Sequence, residues 1–276
     1  MTTISATTSA PTRPQWRVSS AVKDLVEGLG RWELWSTLGW HDIRQRYQRS
    51  TVGPFWLTLS MGAMIGGLAY LYGGVFGNSV VAYLPYVAVG MIVFTFVTSM
   101  ANDAAMAFIT SASVIVQIKA PLSVYIYQII WRNILMLAHN SVIYLVVIAF
   151  IPVTLGWNTL LFIPGLFLLI GMGIWTGLIL APLCARFRDV PPIISSIMQI
   201  AFFMTPIFWT PGSLPNREHF IYLNPFYYLV EVVRMPLLGE SPPLSIWLTV
   251  VVFNCVAATI AIVFFARCRA RIAYWV

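Results

Sequence analysis

Six apolar stretches, at 55–76, 83–109, 122–151, 159–184, 193–209 and 244–266, constrain this chain more than any other feature. A helix of about 20 apolar residues crosses the hydrocarbon of a bilayer. Inside that hydrocarbon no water can satisfy a peptide group, so each stretch must hydrogen-bond within itself as a helix or close into a barrel. Runs of this length favour helices over the roughly ten-residue strands of a barrel. Composition agrees: 59% of the 276 residues are hydrophobic and only 9% are charged, against roughly 25% charged in soluble domains. The mean hydropathy is +0.82. The expected fold is an all-α polytopic membrane protein with six transmembrane helices.

The segment 210–241 fits neither a loop nor a span. Pro211, Gly212, Pro215, Pro225, Pro236 and Gly239 break it, while Phe220, Tyr222, Phe226, Tyr227 and Tyr228 make it too apolar for solvent. It reads as a pair of external re-entrant helices between the fifth and sixth spans, a form of backbone tolerated at membrane depth where protein buries it. Residues 1–30 read as a cytoplasmic tail, disordered to about Arg17, because Thr, Ser, Ala and Pro dominate its start. The stretch 31–54 reads as a surface helix and a basic collar. Wound at helical pitch over 31–47, Trp32, Trp35, Gly39, Trp40, Ile43 and Tyr47 share one face, and Glu33, Thr37, His41, Arg44 and Gln45 share the other. Tryptophans opposite bases describe an amphipathic helix lying in a membrane interface. Arg46, Arg49 and a Gly53–Pro54 break follow before the first span.

The bases set the orientation. Thirteen of the sixteen lie beside the termini or in the links at 110–121 and 186–192, and the opposite side holds only Arg217 and Arg234. Short loops rich in Lys and Arg stay in the cytoplasm, so both termini are expected there. The remaining base, Arg132, lies inside the third span with Asn133, His139 and Asn140, and the second span carries Asp103. Polar groups so deep are costly and face protein or water. They either join helices, for example Arg132 to Asp103, or contact a transported substrate.

Several chemistries are excluded. The only lysines, Lys23 and Lys119, do not follow a glycine, so no phosphate-binding GxxxxGK[ST] loop exists. There is no HExxH, GxSxG or Asp-x-Asp sequence, and Cys184, Cys255 and Cys268 have no metal-ligand spacing. Intramembrane acids are too few for an ion-coupled carrier. Uphill transport would draw its energy from another chain, and this one is not expected to be an enzyme by itself.

The segments RYQRSTVGPFW (46–56), WRNILMLAHN (131–140), CARFRDVPPIISSIMQIAFFMTPIFW (184–209), LNPFYYLVEVVRMPLLG (223–239) and RIAYWV (271–276), in this order after a surface helix, resemble the permease subunits of type-2 ABC exporters for polysaccharides. That group handles O-antigen, capsule and teichoic acid, and the similarity is greatest to the O-antigen and related surface-glycan branch. Val52 stands where the family commonly has leucine before the glycine. The resemblance makes 55–276 a type-2 ABC transmembrane domain. It implies a homodimer in the bacterial inner membrane, paired with two copies of a cytoplasmic ABC ATPase subunit. ATP and Mg would sit on that subunit, with no cofactor on this chain. The implied substrate is a glycan on undecaprenyl pyrophosphate, moved to the periplasm, and no nucleic acid is involved.

Site residues follow from that frame. Arg44, Arg46 and Arg49 would hold the lipid pyrophosphate, for which the planar guanidinium is suited; attraction to anionic phospholipid is the alternative. Tyr70, Tyr72, Phe202, Phe203, Phe208 and Trp209 would line an aromatic channel, since sugar rings stack on aromatic faces; a membrane belt or core packing is the alternative. Lys119, Arg186, Arg188 and Asp189, in short links between helices, would couple to the ATPase or anchor helix ends at headgroups. Other functions open to such a chain are export of a drug or small lipid by a type-2 ABC exporter, and lipid-linked sugar transfer, which the missing acidic motifs disfavour.

Overall fold

The computed structural model describes residues 18–48, 55–76, 79–213 and 218–276, and among these side chains are defined for all but Arg46, Tyr47, Ser213, Glu218 and His219. Helices follow in the order α1 (Val18–Gly30), α2 (Trp32–Tyr47), α3 (Phe55–Val75), α4 (Val80–Thr110), α5 (Ala112–Gln117) and α6 (Ser123–Phe150). A 3-10 turn, Trp157–Leu161, leads into α7 (Phe162–Arg186). Then come α8 (Val190–Met204), α9 (Glu218–Tyr222), α10 (Pro225–Leu237), α11 (Leu244–Cys268) and a last 3-10 turn, Arg269–Tyr274. The described residues contain no strand.

Among the described residues, five helical stretches are long and apolar enough to cross a membrane: Phe55–Val75, Val80–Thr110, Ser123–Phe150, Trp157–Arg186 and Leu244–Tyr274. The expected fifth span, 193–209, is helical only as far as Met204. At 15 residues α8 is about 22 Å long, short of a hydrocarbon core of about 30 Å. Proline explains the break. Pro206 has no N–H to continue the helix, and its ring forces Thr205 out of helical conformation to φ −93°, ψ 136°. The chain continues as non-helical backbone through Trp209.

Helix α4 is the axis of the bundle. It packs against α3, α6, α7, α8 and α10, and apolar residues are buried around most of its circumference, as in a helix surrounded by others. Ser79 caps its start by accepting from the Ala82 N–H. Glycines bring α7 close to its neighbours. A Cβ on Gly177 would lie 2.5 Å from Ile126 of α6, and one on Gly165 would lie 2.8 Å from the Val232 carbonyl oxygen of α10. Gly165→Ala therefore forces α7 and α10 apart and should destabilise the chain by about 1–3 kcal/mol. The melting temperature of the detergent-purified protein checks this, and an unchanged value contradicts the close α7–α10 approach.

Between α8 and α11 lie α9 and the longer α10. Asn224 caps α10 by accepting from the Phe226 N–H, with Pro225 at its first position. Its end is a Schellman turn. The Glu240 N–H donates to the Met235 carbonyl and the Gly239 N–H to that of Pro236, with Gly239 at φ 87°, a left-handed conformation that suits glycine. Arg234, read from the sequence as a base in an external loop, is instead fully buried within α10. Its pairing with Glu231, three residues earlier on the same helix, makes that burial tolerable.

The segment read as the second half of a tail forms α1. Ala21, Asp24 and Gly28 turn inward, and Val22, Val26 and Leu29 outward. Asp24 ties three parts of the chain together. Its carboxylate accepts from the Leu122 and Ser123 N–H groups at 3.3 and 3.0 Å and pairs with Arg269 Nε at 2.7 Å. The two described ends of the chain thus meet at one end of the bundle. That end also holds the α4–α6 and α7–α8 links.

Candidate functional site

Two faces of the bundle gather many of the residues singled out by the sequence. The first is an aromatic groove. Tyr72 of α3 lies 4.9 Å, between ring centroids, from Phe208. Phe202 and Phe203 of α8 lie 5.5 and 6.1 Å from that same ring. Phe94 of α4 extends the cluster to Phe202 at 5.7 Å. A cleft of about 540 Å³ opens beside these rings between α3, α4 and α8, floored by Phe94, Met198, Gln199 and Phe202. Phe208 is held in the non-helical stretch after α8, so the proline break delivers the central ring. Trp209 is buried and donates its indole N–H to the Phe203 carbonyl at 3.2 Å. Tyr70 stands apart. Two residues from Tyr72 is about 200° around a helix, and Tyr70 is 72% exposed on the opposite flank of α3.

The rest of α3 is largely uncovered by this chain. Phe55, Trp56, Leu59, Leu71 and Val75 are exposed. Cβ atoms placed on Gly62, Gly66, Gly67 and Gly74 would meet nothing within 4 Å. Among the described residues these glycines therefore serve no close contact.

The second face is a polar cavity of about 450 Å³ between α2, α4, α5 and α6, lined in part by Asp42, Gln45, Asp103, Gln128 and Arg132. Arg132 of α6 reaches Asp103 of α4 at 2.8 Å and Asp42 of α2 at 2.9 Å. Gln128 donates to Asp42 at 2.8 Å, and Asn133 donates to Asp103 at the same distance. One guanidinium thus fastens three helices. The pairing of Arg132 with Asp103 is the one the sequence suggested; Asp42, on what reads as a surface helix, was not foreseen. His139 and Asn140 lie two turns further along α6. The His139 ring sits 5.5 Å from that of Phe55, and among the described residues neither His139 Nε2 nor Asn140 Oδ1 has a hydrogen-bond partner.

The apolar face of α2 is divided between protein and surroundings. Trp35 packs edge-on to Trp131 at 6.0 Å, and Gly39 lets α2 close onto the α6 backbone, where a Cβ would meet the Gln128 carbonyl oxygen at 3.0 Å. Trp32 and Trp40 point away and are 60% and 59% exposed. Arg44 is exposed on the polar face beside His41 and Gln45, whose side chains bond each other at 2.9 Å. The side chain of Arg46, and all of Arg49, lie outside the described residues.

At the end of the bundle tied by Asp24, Lys119, Arg186, Arg188 and Asp189 are all exposed. The Arg186 guanidinium lies 5.0 Å over the Phe187 ring and 5.3 Å over that of Trp275, and Arg188 donates to the Trp275 carbonyl at 3.4 Å. Val116, Ile118 and Phe187 are exposed among these charges. An apolar patch rimmed by bases on short, helix-bounded links can receive a partner protein and transmit a push.

Asp24, Arg269 and the Glu231–Arg234 pair were not singled out by the sequence. Scarcity was their available signal: with nine acids in the whole chain, each one among apolar residues marks a partner. The spacing of Glu231 and Arg234, on a helix opened by Asn224–Pro225, is a pairing signal of the same kind. The family model described as ABC-2 type transporter matches residues 33–238, which takes in α2 through α10. No curated protein matches the chain.

Proposed function

The chain belongs to the ABC-2 type transporter family, and on that premise we propose that it is the membrane subunit of an exporter for a lipid-linked polysaccharide. Members of the family pair with an ABC ATPase subunit, so the chain is a transport component. The proposed cargo is a glycan on undecaprenyl pyrophosphate, such as O-antigen, moved across the bacterial inner membrane. ATP and Mg would be bound by the partner.

The aromatic groove carries this reading. Tyr72, Phe94, Phe202, Phe203 and Phe208 offer a continuous run of ring faces along one side of the bundle. A polymer must slide past its transporter. Stacking of sugar C–H faces on aromatic rings gives attraction without fixing one sequence of sugars. The groove is open on the side of α3, whose uncovered apolar surface and unpartnered Gly62 and Gly66 suit close approach of a second copy. Two copies facing across α3 and α8 would enclose a channel. The end bearing Lys119, Arg186 and Arg188 is taken as cytoplasmic because the bases gather there, and the ATPase would dock on it. In the collar, Arg44, Arg46 and Arg49 would hold the lipid pyrophosphate at the cytoplasmic mouth.

One observation favours a small lipid or drug as cargo instead. An apolar cavity of about 340 Å³, lined by residues such as Phe96, Tyr144, Phe162 and Leu169, lies among α4, α6, α7 and α10. It has the size of a small-molecule site. Copurifying the chain with its native ATPase and identifying the bound lipid by mass spectrometry separates the two. An isoprenoid pyrophosphate bearing sugars supports the glycan exporter, and a phospholipid-sized or drug-like cargo alone opposes it.

Replacing Arg188 and Asp189 together by alanine should leave membrane insertion intact and lower export per ATP hydrolysed several-fold, because both are exposed on the α7–α8 link. Export and ATPase rates measured side by side check this. Unchanged coupling would leave these residues as anchors at the headgroups.

A further inference from the structure

We propose that Tyr83, Tyr86 and Arg234 form a clamp that holds the unwound segment 205–209 and thereby positions Phe208 in the passage. The proposal rests on the reading of the aromatic groove as a passage. It adds to that reading a set of positioning residues that lie outside the groove.

The segment has an unusual need. Thr205, Ile207, Phe208 and Trp209 are buried, yet the backbone here is not helical, so its carbonyls have no helical N–H partners. A buried carbonyl left unpaired is costly. Side chains from two other helices supply the donors. Arg234 Nη1 of α10 donates to the Pro206 carbonyl at 2.7 Å. The Tyr83 hydroxyl of α4 donates to the Phe208 carbonyl. The Tyr86 hydroxyl faces the Pro206 and Trp209 carbonyls at 3.1 and 3.2 Å. Asn224 adds a bond to the Met204 carbonyl at 3.3 Å and one to the Thr205 hydroxyl at 2.9 Å.

The donors are themselves fixed. Glu231 takes the remaining face of the Arg234 guanidinium through Nε and Nη2. The guanidinium carbon lies 3.9 Å from the centre of the Tyr86 ring, a cation–π contact. Tyr83, Tyr86 and Gly90 stand at i, i+3 and i+7 on α4, so they share one face. At Gly90 a Cβ would lie 3.1 Å from Arg234 Nη1 and 3.4 Å from the Ile207 carbonyl oxygen; glycine there leaves the arginine its path to the backbone. The assembly grips backbone atoms of residues 206, 208 and 209 and leaves the Phe208 ring free to meet Tyr72, Phe202 and Phe203.

The grip is also adjustable. A phenol has one proton to donate, and the Tyr86 hydroxyl has two carbonyls within reach. Pro206 keeps Arg234 as donor when Tyr86 turns to Trp209. Transfer of that one hydrogen bond between neighbouring carbonyls allows residues 206–209 to shift without leaving a carbonyl of Pro206 unpaired. Phe208 would move with them, narrowing or widening the passage.

The test uses the full chain with its ATPase partner, Cys255 and Cys268 replaced by alanine, and Phe208→Cys as the reporter. Cys184, fully buried on α7, is kept as an internal control. The probe is a membrane-impermeant maleimide applied to intact cells and to purified complex. Tyr83→Phe with Tyr86→Phe removes only two hydroxyls and keeps both rings; Arg234→Lys keeps the charge beside Glu231 and loses the fork. In the double phenylalanine variant, labelling at position 208 should rise about tenfold, the shift in an opening equilibrium expected from losing roughly two hydrogen bonds, while Cys184 stays unlabelled. Arg234→Lys should change labelling in the same direction. Equal labelling at 208 with and without the hydroxyls overturns the clamp. So does a parallel rise at Cys184, which would mean that the tyrosines hold the bundle as a whole. No cargo enters the measurement, so its failure is distinct from failure of the glycan reading.

Discussion

Asp24→Ala is expected to cost about 2–4 kcal/mol, the scale for leaving two inward-facing N–H groups without an acceptor, and to sharply lower the amount of chain recovered folded from the membrane. The reason lies in the start of α6. Its own N-cap position, Leu122, has no side chain that can accept a hydrogen bond. Asp24 supplies the cap from another helix, accepting from the Leu122 and Ser123 N–H groups, where the positive end of the helix dipole favours a carboxylate. The same carboxylate neutralises Arg269, and the Ser123 hydroxyl donates back to the Asp24 carbonyl at 2.7 Å. Alanine would leave two N–H groups and one cation without their acceptor. The milder change Asp24→Asn keeps one acceptor oxygen and should lose only about 1–2 kcal/mol. Thermal melts of the purified chain, followed by tryptophan fluorescence, separate the two variants; equal melting temperatures for Asp24→Ala and the parent would dismiss the trans-cap.

Arg132→Met should be comparably damaging, by about 3–5 kcal/mol, for the opposite reason: it strands two anions. Asp42 and Asp103 both rest on this guanidinium, and both are mostly buried. Without it, they repel each other across the cavity between α2 and α4. Relief should come from neutralising the acids. Arg132→Met combined with Asp42→Asn and Asp103→Asn should recover much of the lost stability, because apolar or neutral replacements of a buried charge network are often tolerated. Arg132→Lys keeps the charge but offers a single ammonium in place of a fork reaching two carboxylates, and should fall between. Melting temperature and copurification with the ATPase subunit read all three. Additive losses in the combined variant would contradict the network.

The long apolar runs made most of the bundle legible from sequence, because hydrocarbon permits little but helix. The ends of α3, α4, α6 and α11 fall within a few residues of the expected spans. The pairing of Arg132 with Asp103 was legible for the same reason: two opposite charges deep in neighbouring spans have few other partners. What escaped depended on tertiary contact. In α1 the inward face is Ala21, Asp24 and Gly28, while the valines face outward, so its pattern carries no mark of a buried capping carboxylate. Asp42 sits between His41 and Ile43 on a helix that reads as lying on a surface, and only the seating of Gly39 on α6 brings it to Arg132. The break at Pro206 was visible in principle. The apolar residues Ile207, Phe208 and Trp209 disguise it as the end of a span, because side-chain donors from α4 and α10, and not helical form, satisfy that backbone. By sequence Arg234 groups with the loop bases, because the segment around it is rich in proline, whereas α10 buries it against Tyr86 of α4.

The proposed function is tested most directly by reconstituting the chain with its ATPase subunit in lipid vesicles and measuring ATP hydrolysis with and without an undecaprenyl-pyrophosphate-linked glycan. Export of such a glycan predicts that the lipid-linked polymer raises hydrolysis, and that Arg46→Lys and Arg49→Lys, which keep the charge but lose the bidentate fork, abolish the rise. Stimulation by a small lipid or drug and none by the lipid-linked glycan would contradict it.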